Sequence, residues 1–326
     1  MKILIIRFSS IGDIVLTTPV VRVLKTQLDG AEIHYATKKQ FSSLFQENPY
    51  IDKMHYLQGS LIDFVRILRQ EKFDYIIDLH NNLRTTLIKL MLGVTAYKYD
   101  KLNFRKWLMV NLKINKLPQV HIVERYLATV RSLGIKNDSL GLDYFIPEKD
   151  EIPADWLPAT HQSGYVVYAI GGQHATKKLP VKRMIELCGK IKKPVILLGG
   201  KEDIQAGEEV RTFFDQQNSE GNTATVIYNA CGKCNLNQSA SLVRNASLVF
   251  THDTGLMHIA AAFKKEVVSI WGNTIPDFGM YPYRTRFTTL ENNHVSCRPC
   301  SKIGYAKCPK GHFNCMNKID FDFQIP

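Results

Sequence analysis

The chain has 326 residues, 45% of them apolar, and its 42 Lys plus Arg against 30 Asp plus Glu give a formal charge of +12. That length suits two domains, the apolar share suffices for two packed cores, and the basic excess favours phosphates, anionic lipid or nucleic acid as partners. Four apolar residues between Lys2 and Arg7 are too few for a secretory signal, and no apolar run approaches the roughly 18 residues of a membrane span, so a cytoplasmic location is expected and the seven cysteines are expected as thiols or metal ligands.

An Ile-rich run at 3–6 reads as a strand covered on both faces, punctuated by Ser9, Ser10 and Gly12. Helical spacing follows from Ile14 to Leu28, with Pro19 either a kink or a first-turn residue. A strand at 32–36, helices near 41–45 and 61–68 and a strand at 75–79 continue the alternation of a doubly wound sheet. Residues 84–136 carry eleven Lys or Arg against two acids, with Tyr97, Tyr99, Phe104, Trp107 and Tyr126 interleaved. Residues 137–163, with Gly141, Pro147, Pro153 and Pro158, read as a linker.

The alternation then restarts. Strands are expected at 165–170, 195–198, 248–251 and 267–270, with helices at 184–191, 202–214 and 256–263. The fold class is therefore α/β, with two similar domains and a cleft between them. The expected divisions are a domain over 1–150, a nucleotide-binding domain over 160–296, and a Cys-rich tail over 297–326 packing back on the first domain.

Five stretches could carry chemistry. Ser9-Ser10-Ile11-Gly12-Asp13 lies where the first strand meets a helix, a favoured ligand position in open α/β sheets, and the same residues suit a helix cap. One glycine there is not a dinucleotide fingerprint, which needs three. Asp253-Thr254-Gly255 opens a helix whose free amides could hold a phosphate, with His258 one turn on; an N-cap and a core histidine are the plainer readings. Gly171-Gly172 with Thr176, Lys177 and Lys178 suits an anion clamp. Gly199-Gly200-Lys201-Glu202 puts a carboxylate after a strand, where it could meet ribose hydroxyls or answer a helix dipole. Cys297, Cys300, Cys308 and Cys315 could build a structural zinc site or a thiol-rich packed tail.

Together these stretches resemble the lipopolysaccharide heptosyltransferases. The resemblance runs through the Ser9–Asp13 opening, Asp78-Leu79-His80-Asn81-Asn82-Leu83-Arg84, Lys177-Lys178-Leu179-Pro180, Asp253 to Ala262, Trp271-Gly272-Asn273-Thr274 and Cys297-Arg298-Pro299-Cys300. It implies two facing Rossmann-like domains of the GT-B type with a central cleft, an ADP-heptose donor in the second domain and an acidic lipid-linked core acceptor on the first. It implies inversion at the anomeric centre without a metal or other required cofactor.

By position, Asp13 becomes the general base, and Lys177 with the Thr254-Gly255 helix start stabilises the leaving diphosphate. Glu202 holds the ribose, Asp253 and His258 hold the donor's sugar and phosphates, and Thr176 and Cys234 line the donor pocket. Ser9, Ser10, Gly12 and Arg84 face the acceptor. The chain departs from some members in having Thr176 directly before Lys177 and Cys234 where others have Met, which leaves the donor sugar and nucleotide open. The basic, aromatic stretch suits peripheral contact with an anionic inner leaflet or a solvated face. The alternatives are an epimerase or oxidoreductase on the same fold, and a basic nucleic-acid-binding protein with a zinc-stabilised tail.

Overall fold

The computed structural model describes residues 1–221 and 225–325; residues 222–224 of the expected second domain and the last residue of the expected tail lie outside them. The described residues form two wholly parallel sheets. In the first, β1 (Lys2–Ile6), β2 (Glu32–Lys38), β3 (Lys53–Leu57), β4 (Tyr75–Asp78) and β5 (Ala96–Lys98) lie in the order β3-β2-β1-β4-β5. In the second, β6 (Val166–Ala169), β7 (Val195–Leu198), β8 (Ile227–Asn229), β9 (Leu248–His252), β10 (Val267–Trp271) and β11 (Phe287–Glu291) lie in the order β11-β10-β9-β6-β7-β8.

The central strands are continuous β-branched and leucine runs because both faces are covered, and Ile3, Leu4, Ile5 and Ile6 have no exposed surface. The strands without a counterpart in the sequence reading are β3, β5, β8 and β11. They are the four edge strands, and sequences such as Ala96-Tyr97-Lys98 and Phe287-Thr288-Thr289 are partly exposed and carry little apolar signal. The helical spacing from Ile14 divides into two helices, Ile11–Val15 and Thr18–Gln27, with Pro19 in the first turn of the second, where its missing N–H costs nothing.

The chain divides into two compact units, one of Met1–Leu102 with Val120–Pro147, the other of Asn103–Gln119 with Glu148–Pro326. The basic stretch at 84–136 is thus shared between them. Within the second unit Lys113 Nζ donates to the carbonyls of Cys297 (3.0 Å) and Pro299 (2.6 Å), and Asn115 donates to Asp277 (3.0 Å). The tail expected against the first domain instead joins the second unit's core. Cys315, Met316, Ile319 and Phe321 are at most 5% exposed and pack with Val166, Tyr168 and Phe250. Apolar side chains late in the tail need a core, and the nearest is that of the sheet they follow.

Part of the expected linker is likewise bound down, within the first unit. Arg22, 3% exposed, forks onto Asp138 (Nε 2.7 Å, Nη2 3.0 Å), donates to the Gly141 carbonyl (2.8 Å) and pairs with Asp143. Replacing Arg22 by Ala strands two carboxylates that keep some contact with water. It is expected to lower stability by about 2–3 kcal/mol, less than the cost for a fully buried pair. Urea unfolding of the two proteins would measure this, and an unchanged midpoint would refute it.

Candidate active site

Each sheet has a point where the strand order reverses. After β1 the chain builds β2 and β3 on one side and then crosses to β4 on the other; after β6 it builds β7 and β8 and crosses to β9. Loops leaving such a pair diverge, and the crevice at their carboxyl ends is where ligands of open α/β sheets bind.

In the first unit the loop after β1 carries Arg7, Ser9 and Ser10, and the helix it enters, Ile11–Val15, carries Gly12 and Asp13 in its first turn. The Asp13 carboxylate is held at both oxygens. Arg7 Nη2 stands 2.7 Å from Oδ1, while Ser10 donates to Oδ2 through its hydroxyl (2.8 Å) and backbone N–H (3.3 Å). The carboxylate therefore does cap the Ile11–Val15 helix, and its side chain remains 20% exposed. Arg7 is buried and also donates to the carbonyls of Ser9 (2.7 Å) and Leu79 (2.6 Å) and to the Tyr126 hydroxyl (3.0 Å). Burial alone would weaken its hold on the proton, but Asp13, Tyr126 and Tyr99 outweigh that and raise its pKa.

From β4, Asp78 accepts from the backbone N–H groups of His80 (3.1 Å) and Asn81 (2.7 Å) and pairs with Lys89 (2.6 Å). These bonds fix the loop. Burial, with Arg7 and Lys101 nearby, takes the His80 pKa down to about 4, so its ring is neutral. Arg84 is exposed at the start of helix Leu83–Leu92 and lines a cavity of about 480 Å³ with Lys38, Lys39, Gln40, Leu57 and Leu61.

In the second unit, β6 leads to Gly171-Gly172 and the Ala175–Lys177 turn, and β9 leads to Asp253. The two meet. Lys177 Nζ is 2.6 Å from Asp253 Oδ2, and the Thr274 hydroxyl donates to the same oxygen (2.9 Å). Lys178 pairs with Asp203 (2.9 Å). A Cβ on Gly172 would stand 3.3 Å from the Lys178 stem and 3.4 Å from the Thr254 methyl, so this glycine lets the loops after β6 and β9 close together. Helix Gly255–Ala262 starts at Thr254, whose side chain makes no bond to the first-turn amides. Beneath them His252 is fully buried and accepts from the Leu179 N–H (3.0 Å) at Nε2, and burial takes its pKa down to about 4.

A model of glycosyltransferase family 9 (heptosyltransferase) matches residues 61–309. The chain belongs to this family. It is 26% identical to lipooligosaccharide heptosyltransferase 2 of Haemophilus influenzae, with 85% of each chain covered, and 23% identical to lipopolysaccharide heptosyltransferase 2 of Escherichia coli, with 85% and 84% covered. Among solved structures it is similar to a family 9 glycosyl transferase from Veillonella parvula (TM-score 0.69, 23% identity, 89% and 86% covered). It is also similar to the E. coli ADP-heptose LPS heptosyltransferase II (TM-score 0.69, 20% identity, 98% of each). These likenesses give the fold, the GT-B type.

As a glycosyltransferase of this family, the protein carries the anticipated residues in two groups. Ser9, Ser10, Gly12 and Asp13 lie together where the loop after β1 enters its helix, and Arg84 belongs with Lys38 and Lys39, two lysines at the end of β2 that nothing in the local sequence marked. In the second unit Lys177, Asp253, Thr254 and Gly255 are assembled. Glu202 is exposed, with its carboxylate folded over Gly200. Cys234 is a partly buried thiol with its pKa pushed up to about 11. His258 is 2% exposed. Thr176 is also buried, exchanging hydrogen bonds with the backbone of Tyr305 (3.1 and 2.8 Å).

All seven cysteines are free thiols, and among the described residues the tail set does not bring three ligand atoms together. The tail meets the site twice, at Tyr305 bonded to Thr176 and at Arg298, buried, which donates to the carbonyls of Gly272 (2.6 Å) and Thr274 (2.9 Å). That bond places Thr274 against Asp253.

The neutral His252 gives a pH signature. As pH falls from its ordinary pKa of 6.5 toward 4, the unfolded chain binds a proton there that the folded chain refuses, so stability falls; above 6.5 the term is absent. Between pH 7 and pH 5 the loss is about 2 kcal/mol for this one group. Urea midpoints at the two pH values should show a smaller drop in His252→Gln than in the parent. An identical drop would contradict the assignment.

Proposed function

We propose that this chain moves a heptose, or a related sugar, from an ADP-sugar to an acidic, lipid-linked glycan of the lipopolysaccharide core, with inversion at the anomeric carbon. Family membership supports the reaction class, and the names of the relatives support the donor and acceptor. The observation that carries the donor assignment is Lys177, held 2.6 Å from Asp253 beside a helix start whose amides no side chain caps. Amides and ammonium together suit a diphosphate and the charge that grows on it as it leaves.

In this reading the Asp13 carboxylate takes the proton of the acceptor hydroxyl as that oxygen bonds to the anomeric carbon. The bond from that carbon to the diphosphate breaks, and ADP departs with its charge against Lys177 and the Thr254-Gly255 amides. Glu202 reaches the ribose. Asp253 and His258 set the donor's sugar and phosphates, and Thr176 and Cys234 shape that pocket. Ser9, Ser10 and Gly12 shape the acceptor loop, and the cations Arg84, Lys38 and Lys39 meet the acceptor's acidic groups.

Asp13→Asn should lower turnover by roughly 10²–10⁴-fold, the usual worth of a positioned base, with ADP affinity unchanged. The fold should survive, because Arg7 keeps its bonds to Ser9, Leu79 and Tyr126. Near-parental turnover would make Asp13 a cap only. Adding magnesium or manganese chloride should leave the parent's turnover unchanged, since the protein itself provides the positive charge at the diphosphate.

The acceptor's lipid suggests a peripheral membrane contact. Among the described residues no helix is long and apolar enough to cross a membrane. Helix Leu83–Leu92 exposes Leu83, Leu87 and Leu90 at helical spacing, and in the second unit the exposed Phe104 and Trp107 rings stack at 6.3 Å. Apolar side chains among basic ones suit an anionic interface, where each Lys or Arg adds about 1 kcal/mol. The chain should sediment with anionic but not with neutral liposomes, and Leu83→Ser with Leu90→Ser should weaken this. Equal binding to both liposomes would exclude the contact.

A further inference from the structure

The Asp13 loop lies at the carboxyl end of the first sheet. A second group of titratable side chains lies at its amino end. His34 and His55 are the third residues of β2 and β3, and the register sets His34 beside Lys53 and Ala36 beside His55, so both rings share the face that carries Leu4 and Ile76. They are 0% and 5% exposed, their centroids are 5.0 Å apart, and Phe73 stands edge-on to both. Glu71 directly follows helix Leu61–Gln70 and points to the same place.

We propose that His34 Nδ1, His55 Nε2 and the Glu71 carboxylate bind one zinc ion, which fastens the edge of the first sheet to the end of the helix that covers it. Four features carry the assignment. Two imidazoles and one carboxylate are a zinc ligand set, with water left to complete the tetrahedron. His34 Nε2 lies 2.7 Å from Glu32 Oε1, and a proton shared there leaves the Nδ1 lone pair aimed inward, as a carboxylate does for a zinc-bound histidine.

The spacing also fits. His34 Nδ1 and His55 Nε2 are 2.8 Å apart, a hydrogen bond that the ion replaces as the His55 proton passes from Nε2 to Nδ1; Glu71 Oε2 is 4.0 Å from His34 Nδ1, and all three ligand atoms lie within 4.8 Å of one another. Ligands about 2.0–2.1 Å from a tetrahedral zinc stand roughly 3.3 Å apart, so one gap widens slightly and the other narrows. Finally, the carboxyl end of a ten-residue helix favours a cation. Lys2 (3.4 Å) and Lys53 (2.6 Å) hold Glu71 from the outside; their side chains are 26% and 54% exposed, so each can turn to water as the ion enters.

The test uses the full chain stripped of metal, with Cys297, Cys300 and Cys308 changed to Ser so that tail thiols do not compete. Calorimetric titration with zinc chloride should give one site, and zinc should raise the melting temperature. Cobalt in place of zinc should give visible d–d bands without a thiolate charge-transfer band. Glu71→Gln, partly exposed and of the same shape, should weaken zinc binding roughly 100-fold or more, and Glu32→Gln roughly 10–100-fold. Absence of binding in the thiol-depleted chain, or equal affinity in the parent, Glu71→Gln and His55→Gln with matching circular dichroism, would overturn the proposal.

Discussion

A strand in a parallel sheet with helices on both faces has nowhere to put an unpartnered polar side chain. The middles of β1, β6 and β9 are accordingly apolar and dry, and charged residues collect where the strands stop. Because every strand in a sheet runs the same way, they stop on the same side. That constraint, applied at β1 beside β4 and at β6 beside β9, puts Asp13 near the Asp78–Asn81 loop in one unit and Lys177 against Asp253 in the other.

Charges brought together this way need internal partners. Asp13 has Arg7 and Ser10, Asp253 has Lys177 and Thr274, and Asp203 has Lys178. Each pair neutralises a group at the rim of a dry core, and each contains a residue that a ligand could recruit. Two buried arginines set the loops from behind: Arg7 collects the carbonyls of Ser9 and Leu79, and Arg298 those of Gly272 and Thr274. A guanidinium has five donors in a fixed plane, so one side chain can fix several loop carbonyls at once. The Cys-rich motif around Arg298 thus contributes through its arginine, by holding Thr274 onto Asp253.

The His34–His55 pair departs from the dry-strand rule. Two polar rings lie inside the strands, toward the amino end of the sheet and away from the Asp13 loop, with a carboxylate on each side. Such a cluster is costly to bury without a ligand or a complete set of internal bonds.

The sequence by itself determined what depends on local pattern. Ile3 to Ile6, Val166 to Ala169, Val195 to Leu198 and Leu248 to Thr251 read as strands because each is a short, largely β-branched or leucine run, and Gly171-Gly172, Gly199-Gly200 and Asp253-Thr254-Gly255 announce tight turns at the ends of the last three. Tertiary structure alone decided the rest. Strand β5 pairs only because β4 offers an edge; residues 103–119 join the second unit through Lys113 and Asn115; the tail enters the core of the sheet it follows; and Lys38, Lys39 and Arg84 meet across 46 residues of chain. Each of these rests on burial or hydrogen bonding to residues far away in sequence, whose free energy no local window contains.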